Sequence, residues 1–330
     1  MFNWLAGEMS VTPPAHVAIL GLGLIGSSLL RRLVALGTAV TGYDADPSTL
    51  ELAALEAPIA GSIADAVAGA DLAVLAVPLP VAGAVLDEVW AAGYTGLLTD
   101  VTSVKAAPRR LAAQHCPGAR WVGGHPMAGR EQSGFAAGDA TLFDGCAWVL
   151  TLEPDTGVAD WLRLASLVAG IGARAVPATA DEHDTAVARI SHAPHVVAAA
   201  LAARAAEGEA GSLALALGAG SFRDGTRVAA TRPALTAAMC GGNAAALRTE
   251  LDTLIDQLTA ARGLLDDLDA LADWFTPGHI VRAGWPPEPG PAKERPATRE
   301  ELLALGRAGG WVTAVAADGQ SVTTVVPESP

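Results

Sequence analysis

Three glycines set between a strand and a helix constrain this chain more than any other feature. The apolar run His16-Val17-Ala18-Ile19-Leu20 breaks into Gly21-Leu22-Gly23-Leu24-Ile25-Gly26, and a helical stretch follows from Ser27 to Leu36. In such a turn the first glycine makes the tight bend and the second lets backbone approach a pyrophosphate. The third permits close helix–strand packing, and the helix N-terminus supplies unpaired N–H donors. A second apolar run, Ala39–Tyr43, ends at Asp44, 23 residues beyond Gly21. That is near the ~20-residue spacing of a carboxylate that grips the adenosine ribose hydroxyls. Gly21, Gly23, Leu24, Ile25, Gly26 and Asp44 therefore predict a dinucleotide site. Asp44 would repel a 2′-phosphate, and Ala45, Asp46 and Pro47 offer no arginine, while Arg31 and Arg32 lie too far along the helix. NAD is favoured over NADP.

The alternation continues. Asp71–Pro78, Leu97–Val101, Trp148–Leu152 and Ala173–Val176 read as strands, with helices at Val81–Ala92, Lys105–His115 and Gly157–Ala169 between them. This predicts an α/β, Rossmann-type, doubly wound parallel sheet. Ligands lie beyond the carboxyl ends of such strands, which brings Val77, Pro78 and Ser103 to the site. From Asp181 to Phe275 strand signals vanish. Leu247, Leu251, Leu254, Leu258, Leu264 and Leu268 form an apolar stripe that must be buried, within the chain or against a second copy. The expected organisation is a leader at 1–14 (with Met9 as a second candidate start), a nucleotide-binding domain at 15–178 and an all-helical domain at 179–275. A linker at 276–298 and a small appendage at 299–330 follow. In the appendage a short helix precedes a hairpin turning at Asp318-Gly319.

Charge removes other classes. Over 330 residues the net charge is −14, which argues against nucleic acid and against anionic membranes. Cys116, Cys146 and Cys240 are widely spaced and form no CxxC pair, as in a reducing compartment, and no metal site is expected. No uninterrupted 18-residue apolar run and no basic leader appear, so a cytoplasmic protein without a membrane span is expected.

Four further clusters carry reactive side chains: Asp100-Val101-Thr102-Ser103-Val104-Lys105, Gly123-Gly124-His125-Pro126-Met127-Ala128-Gly129-Arg130-Glu131, Ser191-His192-Ala193-Pro194-His195, and Phe222-Arg223-Asp224-Gly225-Thr226-Arg227. Each has a plainer reading. Ser103 is placed as an N-cap would be, and His125 as a structural histidine. Arg223, Asp224 and Arg227 are placed as a solvated ion pair, Glu131 as surface. His183-Asp184-Thr185 reads as a helix start.

Together these motifs resemble the prephenate/arogenate dehydrogenase family of tyrosine biosynthesis. The matching stretches are Gly21–Leu29, Ala76–Pro78, Asp100–Lys105, Gly123–Gly129, Glu182–Asp184, Ser191–His195 and Gly220–Ala229, in family order. The resemblance implies NAD-dependent oxidative decarboxylation of prephenate, or of its transaminated relative arogenate, by a homodimer joined through the helical domain. It implies His125 as the catalytic base, supported by Ser103, and Arg227 as the carboxylate grip. His195 and Glu131 then line or gate the substrate pocket, and Asp224 orients it. Arg130 is a departure from the family pattern. Pointed inward, it would favour the dianion prephenate. The remaining alternatives are a β-hydroxyacid dehydrogenase or imine reductase of similar architecture, and a catalytically silent NAD-sensing protein. Against the former, Asp181–Phe275 contains no lysine.

Overall fold

The computed structural model describes residues 11–130 and 132–328. They form two compact units: residues up to His183 together with those from Glu288 onward, and Asp184–Pro287.

The first unit opens with a five-stranded parallel sheet: β1 (His16–Leu20), β2 (Ala39–Tyr43), β3 (Leu72–Leu75), β4 (Leu97–Asp100) and β5 (Arg120–Val122), in the order β2-β1-β3-β4-β5. Both faces are apolar because the strands lie between two layers. Val17, Ile19, Val74 and Leu97 enter one core, with Leu29, Leu30 and Leu33 of α1 (Leu24–Ala35). The alternating residues Ala18, Leu20, Leu75 and Leu98 enter the other, with Leu86, Val89 and Cys116. Burial of each large aliphatic side chain contributes about 1.5–3 kcal/mol.

The next two expected strands do not extend this sheet. β6 (Gly124–Pro126), β7 (Ala147–Thr151) and β8 (Arg174–Ala178) begin a second, six-stranded sheet, completed by β9 (Lys293–Pro296), β10 (Trp311–Val315) and β11 (Ser321–Val325). Its order is β6-β7-β8-β10-β11-β9, and only β7 and β8 run parallel. The chain changes sheets at Gly123, whose N–H donates to Thr151 Oγ1 at 2.9 Å and whose carbonyl accepts from Thr151 N–H at 2.8 Å. Alternation of strand and helix predicts strands but does not say which sheet each one joins.

The expected linker at 276–298 is corrected for much of its length. A helix runs Leu268–Ala283 through Pro277, and β9 pairs antiparallel with β11. Proline-rich composition suggested a linker, yet Pro296 lies on an edge strand, where a missing N–H sacrifices no ladder bond. The helix Arg299–Arg307 puts Leu302 and Leu305, each 1% exposed, into the same core as Trp161. Residues 1–10 of the expected leader fall outside the described residues. Val11 N–H donates to Ala317 O at 2.7 Å, so the end of that segment is tied to the appendage.

The second unit is helical throughout, from Ala193–Ala205 to Leu268–Ala283. Within it a π-helical turn at Ala188–His192 leads into Ala193–Ala205, and Asn243 Nδ2 donates to Asp184 O at 2.7 Å beside that wider turn. Leu247 of the expected stripe is buried. Leu258 and Leu268 are 53% and 78% exposed, as are neighbours such as Leu217 (72%) and Ile255 (58%). The stretch Ala180–Ala205 has the length and mean hydropathy, 1.2, of a membrane span, which the sequence had not suggested. Within it, however, Arg189 pairs with Glu250 at 2.7 Å and the buried His192 Nδ1 lies 3.2 Å from Asn243 Nδ2, polar partners that hydrocarbon does not offer.

Candidate active site

Because β2 and β3 flank β1 on opposite sides, strand order reverses between β1 and β3, and the glycine turn sits at that switch point. Gly21 has φ +101°, and a Cβ there would lie 2.6 Å from Ala76 O; a Cβ on Gly26 would lie 1.9 Å from Gly21 O. Neither position has room for a side chain. Gly23 is the opposite case, with nothing within 4 Å of the space a Cβ would take. That open side lies at the start of α1, whose first turn has no side-chain cap. Asp44 Oδ2 accepts from Leu22 N–H at 2.7 Å, and Oδ1 from Asp46 N–H at 2.9 Å, which fixes the carboxylate beside the turn. Leu24, Ile25 and Val77 are half-buried around it and Pro78 is exposed. Tight where the fold must close and open where a pyrophosphate must approach, these residues fit a dinucleotide.

At the end of β4 lies a feature that sequence reading passed over. Lys105 and Asp100 are each 1% exposed, and they form an ion pair. Lys105 Nζ also donates to Gly124 O at 2.5 Å, and Gly124 N–H donates to Asp100 Oδ1 at 3.1 Å. Both the carbonyl and the amide of Gly124 are therefore held by one buried pair. A side chain at Gly124 would meet Asp100 O at 2.6 Å, so only glycine permits this approach. Ser103 is half-buried in the connecting loop. It is not an N-cap: the helix Ala106–His115 follows Lys105 and has no side-chain cap.

His125, the next residue after Gly124, lies on β6 opposite Val149 and is half-buried. The clamp on Gly124 ties it to the carboxyl end of β4. Its Nδ1 lies 2.8 Å from Nε2 of His183, the two rings meeting edge-on with centroids 5.1 Å apart. His183 is 2% exposed. It does sit in the first turn of a helix, Ala180–Val187, but that plainer reading missed its partner. Glu131 falls outside the described residues. Arg130 is committed elsewhere, its guanidinium 2.5 Å from Asp139 Oδ2. Hydrogen bonds from Thr141 and then from Arg130 lower the Asp139 carboxyl to about 2.

The second unit holds the remaining candidates. His195 Nδ1 lies 3.0 Å from Ser191 O. A carbonyl only accepts, so Nδ1 carries the hydrogen and Nε2 is an acceptor while the ring is neutral. Arg227 is exposed at the head of a short turn, Arg227–Ala230, and among the described residues no carboxylate pairs with it. Asp224 instead pairs with Arg223 at 3.1 Å, both of them solvated. Among the described residues no three His, Cys, Asp or Glu side chains gather as a metal site requires.

Residues 29–177 match the model of the prephenate dehydrogenase nucleotide-binding domain, and residues 179–276 that of the prephenate dehydrogenase dimerization domain. Over 277 residues the chain is 35% identical to a cyclohexadienyl dehydrogenase of Zymomonas mobilis, covering 81% of this chain and 94% of that protein. A prephenate dehydrogenase of Bacillus subtilis is 31% identical over 282 residues, 82% of this chain and 76% of the relative. Among solved structures, Synechocystis arogenate dehydrogenase is 29% identical with a TM-score of 0.74, covering 82% of this chain and 99% of that one.

Proposed function

Since the chain belongs to the prephenate dehydrogenase family, and is thus an NAD-dependent oxidoreductase, we propose that it oxidises prephenate to 4-hydroxyphenylpyruvate with loss of CO2. The observation that carries this reading is His125, a half-buried imidazole clamped through Gly124 to the carboxyl end of β4. Ligands of such sheets lie beyond that end.

The chemistry asks for these residue types. NAD, held by the glycine turn and Asp44, supplies the hydride acceptor when bound. Loss of hydride from the ring carbinol carbon makes its hydroxyl increasingly acidic, and His125 takes that proton. A positioned general base is worth ~10²–10⁴-fold. The dienone so formed is a vinylogous β-keto acid. Its carboxylate leaves as CO2, the bonding pair aromatises the ring, and the phenolate oxygen recovers a proton. Ser103 hydrogen-bonds the reacting oxygen or steadies the imidazole. Arg227, free of any described carboxylate, matches a substrate carboxylate bidentately. The family resemblance assigns His195 and Glu131 to the substrate and Asp224, paired with Arg223, to orienting its loop.

The helical unit pairs with a second copy of the chain. Leu213, Leu217, Ile255, Leu268 and Trp285, each more than half exposed, are apolar groups that such a pairing would cover. Arogenate is the second reading, favoured by one observation: Arg130 is engaged by Asp139, which removes the cation that would have selected a keto acid. NADH formation followed by absorbance, with prephenate and arogenate compared at equal concentration, tests the assignment. Faster turnover of prephenate supports it. Preference for arogenate transfers the same mechanism to the amino acid, and turnover of neither removes the reaction.

A further inference from the structure

The imidazole pair carries one step more. His125 Nδ1 and His183 Nε2, 2.8 Å apart, must share a single hydrogen, because two lone pairs or two N–H groups would repel at that distance. If His183 donates it, neutral His125 carries its own hydrogen on Nε2 and has no lone pair there for a proton. If His125 donates it, Nε2 keeps its lone pair. Resting on the reading of His125 as proton acceptor, the structure assigns His183 as a positioning residue that holds His125 in its Nδ1–H tautomer.

The same contact serves the next moment of the reaction. Once His125 has taken the hydroxyl proton it is an imidazolium, and its Nδ1–H bond to a neutral acceptor becomes charge-assisted and stronger. A second proton on His183 would place two like charges side by side. His183 therefore acts as an acceptor before and after proton transfer.

Its backbone is fixed to suit. Thr179 and Glu182 form a reciprocal cap: Glu182 N–H donates to Thr179 Oγ1 at 3.2 Å, and Thr179 N–H donates to Glu182 Oε2 at 2.8 Å. His183 N–H donates to Thr179 O at 3.0 Å, inside the same turn. Arg307 Nε, from the helix Arg299–Arg307, donates to the other oxygen of Glu182 at 2.6 Å. The C-terminal helix thus holds the cap, the cap holds His183, and His183 holds the tautomer.

Long-range proton–nitrogen spectra of the full chain labelled with 15N-histidine test this, because they distinguish Nδ1–H from Nε2–H. The His125 signals are assigned by their loss in His125→Asn. The expected result is an Nδ1–H tautomer for His125 in the unsubstituted protein. His183→Gln, whose amide oxygen also accepts, should keep that tautomer and most of kcat. His183→Leu should lose it and lower kcat by about tenfold or more, with KM and NAD affinity unchanged. An Nε2–H tautomer in the unsubstituted protein, or full kcat in His183→Leu, overturns the proposal. Should His183→Leu fail to fold, the unsubstituted spectrum and His183→Gln still decide. Full turnover by His125→Asn would instead overturn the base assignment, a result separable from the tautomer measurement.

Discussion

The two units spend their apolar residues in opposite ways. In the first, Val17, Ile19, Leu29, Leu30 and Phe143 are at most 1% exposed, and even a lysine and an aspartate are sealed inside as a pair. In the second, Leu247 is the one buried residue of the long helix Ala244–Gly263, whereas Ile255 and Leu258 on the same helix face outward. One unit is complete in itself. The other leaves large apolar side chains uncovered, and its sequence matches the model of a dimerization domain. The contrast teaches that reactive side chains need a scaffold that does not yield, and an association surface needs apolar groups left uncovered.

Substitutions can break that contrast or sharpen it. The largest effect is expected for His125→Asn: kcat should fall ~10²–10⁴-fold while NAD binding, followed by fluorescence titration, is retained. Loss of both would mean that the first unit is less rigid than its burial suggests. Lys105→Met strands Asp100 in the interior and should cost about 3–5 kcal/mol in denaturant unfolding. Adding Asp100→Leu should recover most of it, and failure to recover would show that the pair is needed for more than charge balance. Arg227→Ala removes a charge-assisted carboxylate contact worth roughly 1.5–3 kcal/mol, so KM should rise with kcat little changed. Ile255→Asp, silent in an isolated unit, should weaken self-association by about 2 kcal/mol, read by sedimentation velocity. An unchanged sedimentation coefficient would place the interface elsewhere.

The smallest effect concerns Arg307→Ala, about 1 kcal/mol or less because the pair with Glu182 is largely solvated. Burial raises the Glu182 carboxyl, but hydrogen bonds from Thr179 and Arg307 outweigh it and hold the group below its usual range. The contribution is therefore present above the unfolded value and lost as pH falls through the lower folded one. A difference between the two proteins that persisted unchanged in acid would remove Glu182 as its source.

Local pattern was enough to read the first sheet. β1 and β2 fall where the apolar runs placed them, and the glycine spacing foretold which positions would be closed and which open. What escaped was non-local. Nothing in the runs Trp148–Leu152 and Ala173–Val176 says that they pair in a second sheet, because sheet membership is decided by partners far along the chain. Lys105 read as the start of a helix, since sequence does not reveal that its four carbons reach the interior. His183 read as part of a helix start, yet its partner lies 58 residues away. Exposure of Leu258 and Leu268 was equally hidden, because periodicity marks an apolar face without naming what covers it.

The return of β9, β10 and β11 to the first unit imposes an order on synthesis. β8 keeps one edge unpaired until Trp311–Val315 has left the ribosome, and the whole of Asp184–Pro287 emerges before it. Through that interval the nascent chain displays an open strand edge beside an apolar helical surface, a combination prone to wrong pairing. The oldest part of the molecule is finished by the youngest, so a ribosome stalled within the helical unit would release a protein whose glycine turn is whole and whose second sheet is not.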